Sequence, residues 1–147
     1  MTAEHATDND KAIPGDWLGL LRSSGLRPTR QRLALCRLIF GDGHRHVTAE
    51  TLHGDIQQEG QSVSLATIYN TLHQFTDAGL LKQVVVDSSR TYFDTNLSDH
   101  HHFFYEDSGE LQDLPEGGRI ALGAMPDLPE GMELDSVDVI VRLRSAS

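Results

Sequence analysis

The sequence predicts an α+β fold: an N-terminal winged helix-turn-helix over residues 17–94, followed by a small α/β dimerisation domain over residues 100–147. Apolar residues recur at helical spacing through the first half of the chain, up to Gly79. Beyond that glycine, short stretches of alternating polarity with Asp, Ser and Gly between them are typical of β-strands and turns. A strong difference in charge between the two parts also indicates two domains with different roles.

The helices of the first half are predicted from their start and stop signals. Thr and Ser cap helix N-termini by accepting a backbone N–H, and Gly often follows a helix C-terminus. Pro28 blocks continuation of the first helix and separates it from the second. The four predicted helices cover residues 17–21, ending near Gly25; residues 30–40, after Thr29; residues 49–58, after Thr48; and a fourth segment from Ser64 to Gly79.

The fourth helix has an apolar stripe and an opposite polar face. Its apolar side chains lie three, four and three positions apart, which is one face of a helix. The last helix of a winged helix-turn-helix enters the major groove of DNA, so the polar face is predicted to contact DNA, with an ordinary solvated face as the alternative. Hydroxyls on this face can reach phosphates, and aromatic or methyl surface can meet thymine methyls. The predicted inward residues are Leu65, Ile68, Leu72 and Phe75, and the outward ones are Thr67, Tyr69, Asn70, His73 and Gln74.

The remaining elements are predicted mainly as strands. Some fifty residues after position 97 bury too small a core to be stable alone, so we expect this part to form a homodimer. Two-fold symmetry would suit a palindromic double-stranded operator. The predicted elements are strands over 80–86 and 91–95 around the turn 87–90, strands over 100–106 and 110–114 around Ser108-Gly109, a short helix over 117–125, a loop over 125–131, and a strand over 137–143.

Charge and composition limit the function classes. The net charge is −10, of which residues 1–16 carry −3, residues 17–96 carry +1 and residues 97–147 carry −8. The middle segment can therefore approach phosphates, whereas the last third would be repelled by them. The polar, acidic residues 1–16 are predicted to be a disordered tail rather than a signal peptide. Cys36 is the single cysteine and no apolar run is long enough for a membrane span, so we expect a cytoplasmic protein with no disulfide and no membrane contact.

Several motifs resemble the Fur superfamily of bacterial metal- and peroxide-responsive regulators, over about residues 17–144. The resemblance implies a winged helix, a hinge over residues 95–99 and a C-terminal dimerisation domain. It also implies that Tyr69 meets bases in the major groove and that Arg27 reaches the minor groove, whereas Asn70 stands where many members have a phosphate-binding Arg. The motifs are residues 25–32 (GLRPTRQR), 46–50 (HVTAE), 64–72 (SLATIYNTL), 75–81 (FTDAGLL) and the histidines 100–102.

The same resemblance implies a regulatory metal site with ligands from both domains. Mixed His and carboxylate ligands suit Fe²⁺, Mn²⁺ or Zn²⁺, and an ion that bound ligands on both sides of the hinge would fix the domains in one orientation. If the three histidines lie on a strand, the first and third share a face and the second points away. The implied ligands are His46, Asp94, His100, His102 and Asp113.

Two departures from the superfamily point to haem. Most members hold a structural zinc through paired Cys-x-x-Cys motifs, but Tyr105 and Ser108 stand where the first pair belongs, so a Cys₄ zinc site is excluded. A His-His-His run also replaces the common His-Asp-His. Both features are most like the iron response regulator, Irr, of alphaproteobacteria, which controls iron uptake and haem synthesis genes. Haem is therefore expected at His100, His101 or His102, with DNA binding relieved when haem binds.

Other interpretations remain open. The first is a regulator of the same family that senses Mn²⁺, Fe²⁺ or peroxide directly through the interdomain His and Asp residues. A metal-dependent hydrolase or oxygenase would need an open coordination position and a substrate pocket, for which so short a chain has little room, so no catalytic residues are predicted. A haem or metal buffer is disfavoured by the predicted DNA-contacting helix around Tyr69.

Overall fold

The computed structural model describes residues 16–43, 45–98, 100–115 and 120–146. The chain divides between Leu97 and Ser98 into two compact units, here called unit 1 and unit 2. The predicted disordered tail lies outside the described residues except for Asp16, and a hinge over residues 95–99 stays a prediction. Among the described residues, no helix is long and apolar enough to cross a membrane.

Unit 1 contains four helices, and the starts of the second, third and fourth agree with the predicted caps. At each of Thr29, Thr48 and Ser64, the side-chain oxygen accepts the backbone N–H three residues later at 3.1 Å. Gly25 has a φ of +77°, which closes the first helix in the left-handed conformation that glycine tolerates best. The helices are α1 (Trp17–Ser23), α2 (Arg30–Phe40), α3 (Ala49–Gln58) and α4 (Leu65–Asp77).

A three-stranded antiparallel sheet completes unit 1. Its strands are β1 (His46–Val47), β2 (Lys82–Asp87) and β3 (Arg90–Asp94), in the spatial order β1-β3-β2. The hairpin of β2 and β3 confirms the predicted pair of strands. The two-residue β1 adds to the predicted elements, because so short a strand has no alternation to detect, and it pairs His46 with Asp94.

The core of unit 1 lies between the helices and the sheet. Ile68, Leu72 and Phe75 on α4 are fully buried, as predicted from the stripe. The prediction that Leu65 points inward is wrong, because this first residue of α4 is 37% exposed. The buried face continues instead with Thr71, whose hydroxyl donates to the Thr67 carbonyl at 2.9 Å and so has a partner inside the core.

Unit 2 contains a three-stranded mixed sheet. Its strands are β4 (His102–Tyr105), β5 (Glu110–Asp113) and β6 (Ile140–Leu143), in the order β5-β4-β6. The antiparallel β4–β5 pair confirms the predicted hairpin, but the strand starts at His102 rather than at residue 100. In the described part of unit 2, the buried apolar side chains are Phe104 and Leu111.

The segment between the hairpin and β6 differs most from the prediction. Residues 120–139 have no helix or strand, so the short helix predicted over 117–125 is wrong where the structure describes it, and residues 116–119 lie outside the described part. The last strand begins at Ile140, three residues later than predicted. A helix with nothing to pack against gains little in water, and this segment leaves its apolar side chains exposed in a single chain. They are Leu122, Met125, Leu128, Met132, Leu134 and Val137.

Candidate metal centre and nucleic-acid interface

In unit 1, His46 and Asp94 form a buried pair across the sheet. The β1–β3 register places them directly opposite each other, with His46 Nε2 3.0 Å from Asp94 Oδ2. The Asp94 side chain is only 1% exposed, and its Oδ1 accepts the backbone N–H of Asn96 at 2.8 Å. A buried carboxylate is costly unless it is paired, and here both of its oxygens have partners.

In unit 2, three side chains converge at the start of β4. The β4–β5 register pairs His102 with Asp113, and Asp113 Oδ1 lies 2.9 Å from His100 Nε2 and 3.4 Å from His102 Nε2. The two imidazole rings have centroids 4.5 Å apart. We call His100, His102 and Asp113 the ligand trio. These separations match neighbouring ligand atoms around an ion at roughly 2.0–2.2 Å from each.

The hydrogen bond on the far side of His100 shows how the trio fits a cation. His100 Nδ1 lies 2.6 Å from the carbonyl oxygen of Ser98, which can only accept, so Nδ1 carries a proton. A neutral imidazole has no second proton, and Nε2 then turns its lone pair toward Asp113 Oδ1. Two lone pairs that converge in this way need a cation between them, either a proton or a metal ion. A backbone carbonyl behind the other ring nitrogen is also the usual partner of a metal-binding histidine.

His101 has a different environment from its neighbours. Its Nδ1 accepts the backbone N–H of Val139 at 3.2 Å, just before β6. Its own carbonyl accepts the N–H of Leu114 at 3.0 Å, beyond the end of β5. The three histidines predicted as haem ligands therefore differ in their contacts. His100 and His102 lie against Asp113, whereas His101 is hydrogen-bonded to the residues next to β5 and β6. In neutral His101 the remaining proton is on Nε2, which leaves no lone pair there for a metal.

The predicted DNA-contacting residues lie on the surface of unit 1. Asn70 and Arg27 are exposed, and Thr67 and Tyr69 are partly exposed. The Thr67 hydroxyl oxygen accepts a hydrogen bond from the capping Ser64 hydroxyl at 2.9 Å, so part of its capacity is used within the helix start. The four residues keep the accessibility that a contact with DNA requires.

Sequence reasoning missed two polar side chains that touch these residues. The Tyr69 hydroxyl donates to Glu50 Oε2 at 2.6 Å, and this hydrogen bond is the main reason that the pKa of Tyr69 lies above its usual value of 10.0. Arg32 donates to the Arg27 carbonyl at 2.7 Å and to Gln74 Oε1 at 2.8 Å. Glu50 and Arg32 belong to the quoted motifs, but Tyr69 and Gln74 lie 19 and 42 residues away from them, too far to be read from spacing.

Sequence comparisons with known proteins agree on one family. Residues 23–125 match the sequence profile of the Ferric uptake regulator family. The peroxide-responsive repressor PerR of Staphylococcus aureus is 36% identical over 94 residues, which cover 64% of this chain. The match spans 63% of the length of that repressor, a little under two thirds.

Solved structures share the fold at lower identity. The ferric uptake regulator of Vibrio cholerae superposes with a TM-score of 0.67 and 22% identity, over 87% of this chain and 98% of that one. The ferric uptake regulator of Pseudomonas aeruginosa, solved with manganese, superposes with a TM-score of 0.63 and 23% identity. The match covers 89% of this chain and 98% of that one. At these identities the likeness establishes the α+β fold.

Proposed function

Because this chain belongs to the Ferric uptake regulator family, whose members are transcription regulators and not enzymes, we propose that it is a repressor whose DNA binding responds directly to a divalent metal ion. The observation that carries the proposal is that His100 Nε2 and His102 Nε2 lie 2.9 Å and 3.4 Å from the same oxygen, Asp113 Oδ1. Mn²⁺, Fe²⁺ and Zn²⁺ are the ions that this donor set suits. The similarity to a peroxide-responsive repressor extends the proposal to peroxide sensing by the Fe²⁺ form.

All five predicted ligands are assigned to this ion. The trio supplies two imidazoles and one carboxylate from unit 2, and the buried His46–Asp94 pair supplies one of each from unit 1. Strand register places His46 opposite Asp94 and His102 opposite Asp113, and His100 precedes β4 by two residues. Each group is therefore assembled inside its own unit, which supports both groups as preformed ligands. When bound, the ion supplies positive charge that holds carboxylate and imidazole lone pairs together.

Unit 1 is proposed to bind DNA as a winged helix. Three helices, α2 to α4, precede the β2–β3 hairpin, and α4 presents its polar face to solvent. Tyr69 is assigned to bases in the major groove, Thr67 and Asn70 to the same face, and Arg27 to the minor groove. Members of this family bind DNA as dimers, and we assign dimerisation to unit 2.

Haem is the second candidate ligand, in a regulator of the Irr type. The three successive histidines and the absence of cysteines for a Cys₄ zinc site favour it. Against it, His102 is almost fully buried and lies beside Asp113, and His101 accepts a backbone N–H at Nδ1. A porphyrin needs an accessible imidazole with a free lone pair, so we place the direct metal response first.

Isothermal titration with Mn²⁺ tests the metal site, alongside gel shifts on an operator selected from randomised duplexes. Asp113→Asn should weaken Mn²⁺ binding by roughly tenfold or more and remove the metal dependence of DNA binding. Asp127→Asn, which neutralises an exposed carboxylate of unit 2, is the matched control and should leave both unchanged. If haem releases the operator while Mn²⁺ has no effect, the second candidate replaces the first.

Two substitutions test the proposed orientation on DNA. Tyr69→Ala should lose about 1–3 kcal/mol of discrimination between the selected operator and unrelated duplex, as a base contact does. Arg27→Ala should weaken binding and lower the slope of log affinity against log salt by about one, as expected when one phosphate counterion is no longer displaced. Unchanged discrimination and an unchanged slope would refute the assignment.

A further inference from the structure

We propose that Glu50 is a positioning residue that holds Tyr69 in its DNA-reading orientation, although its own carboxylate does not contact DNA. The inference rests on the proposed function, because it takes Tyr69 as a base-contacting residue. It goes further by assigning a role to an acidic side chain on the surface that would face a polyanion. The hydrogen bond from the Tyr69 hydroxyl to Glu50 Oε2, 2.6 Å long, is the observation that carries it.

The position of Glu50 on α3 is unfavourable for a residue beside DNA. It is exposed, and a carboxylate there repels phosphates, so its charge by itself would weaken binding. It lies in the first turn of α3, a position where acidic side chains are common because the helix dipole is positive there. The Glu50 carboxylate would repel DNA, so its presence on this surface needs another explanation. The hydrogen bond that it accepts from the Tyr69 hydroxyl provides one.

The ring of Tyr69 is held from its other side as well. It stacks on His73 of the same helix, with ring centroids 6.4 Å apart and an interplanar angle of 22°. His73 in turn meets Phe93 edge-on at 5.7 Å, and Phe93 is fully buried in β3. The aromatic plane is thus fixed by a contact that reaches the core, whereas the hydroxyl end is fixed by Glu50.

Fixing both ends lowers the cost of binding. A partly exposed tyrosine that rotates freely must lose that freedom when its ring meets a base, and preorganisation removes this loss. Glu50 and Tyr69 lie on different helices, so their hydrogen bond also couples the direction of the ring to the start of α3. Removing the acceptor should therefore affect sequence discrimination more than it affects general attraction to DNA.

A double-substitution cycle separates positioning from charge. We would measure affinity of the full chain for the selected operator and for unrelated duplex in wild type, E50A, E50Q, Y69F and E50A/Y69F. E50A should lose operator preference on the order of tenfold, about as Y69F does, and the double variant should lose no more than either alone. E50Q retains an acceptor oxygen and should keep most of the preference. Asp55→Asn, the matched control on α3, should keep all of it.

A measurement without DNA checks the contact itself. NMR titration of ring-labelled tyrosine should show the Tyr69 pKa above its usual range in wild type and lowered in E50A. Two results would overturn the positioning role and leave the proposed function intact. One is an additive loss of operator preference in E50A/Y69F. The other is an equal gain in affinity for the operator and for unrelated duplex in both E50A and E50Q. If Y69F and Y69A both leave discrimination unchanged, the proposed DNA orientation and this inference fail together.

Discussion

At the scale of single residues, the candidate site is built from side chains whose polar atoms are already engaged. Asp94 uses one oxygen for His46 and the other for the Asn96 N–H. Asp113 meets two imidazoles with one oxygen. Such arrangements cost stability when one partner is removed, so stability and ligand binding must be measured together for any variant of these residues.

Substitution of Asp94 separates its two roles. Asp94→Asn keeps an oxygen for the Asn96 N–H but loses the charge. Its free energy of unfolding should stay within about 1 kcal/mol of the wild-type value, whereas its affinity for Mn²⁺ should be much lower. Asp94→Ala leaves buried polar groups without partners, so its free energy of unfolding should be about 1–3 kcal/mol lower than that of Asp94→Asn. Urea unfolding and Mn²⁺ titration of both variants provide the check. Equal destabilisation by the two would show that the Asn96 hydrogen bond contributes nothing.

Cys36 is predicted to be chemically inert in the folded protein. Burial on α2 raises its pKa from 9.0 to about 12, so the reactive thiolate is scarce at neutral pH. Iodoacetamide at pH 8 should label it only after denaturation. The contribution of this raised pKa to stability is complete below pH 9.0 and falls as pH rises toward 12, because the unfolded thiol ionises first. Rapid labelling under native conditions would contradict its burial.

At the scale of elements, local sequence signals determine where the helices of unit 1 begin and end. The strands depend on pairing between segments that are distant in the sequence. The capping side chains and the glycine at the end of α1 act within a few residues, so they are visible in the sequence. By contrast, β1 exists only because β3 pairs with it, and it brings His46 opposite Asp94. Family resemblance implied that both residues bind a metal, but neither the resemblance nor the two-residue strand predicted that they pair across a sheet.

The cap of α4 can be tested directly. Ser64→Ala should lower the free energy of unfolding by about 1 kcal/mol, because the Thr67 N–H loses its side-chain acceptor. Ser64→Asp keeps an acceptor and should stay close to wild type. Ser62→Ala, in the preceding loop, is the control for the loss of a hydroxyl nearby. Unfolding in urea, followed by circular dichroism, measures all three; a loss in Ser62→Ala equal to that in Ser64→Ala would argue against the capping role.

At the scale of the whole molecule, the two units differ in what they can bury. Unit 1 has a continuous core shared by its helices and sheet. The described part of unit 2 buries two apolar side chains and exposes six along residues 120–139. Apolar side chains concentrated in one segment usually mark a surface that another molecule covers.

The expected dimer should depend on this segment. Met132→Glu, at a side chain that is 69% exposed, should shift the full chain toward monomer, because a charge would be buried in the interface. Val85→Glu changes an exposed apolar residue of unit 1 and should leave the association state unchanged. Sedimentation equilibrium over a range of concentrations measures both. A Met132→Glu protein that dimerises like wild type would place the interface elsewhere.

The sequence alone determined the helices of unit 1, the two hairpins and the residue types available for a metal, because caps, turns and hydrophobic periodicity act over short distances. Only the tertiary structure decided which polar atoms meet. It divided the three histidines, with His100 and His102 against Asp113 and His101 against Val139, and it placed Glu50 on the Tyr69 hydroxyl. It also left residues 120–139 without regular structure. These outcomes depend on strand register and on packing between segments distant in sequence, which composition and spacing do not encode.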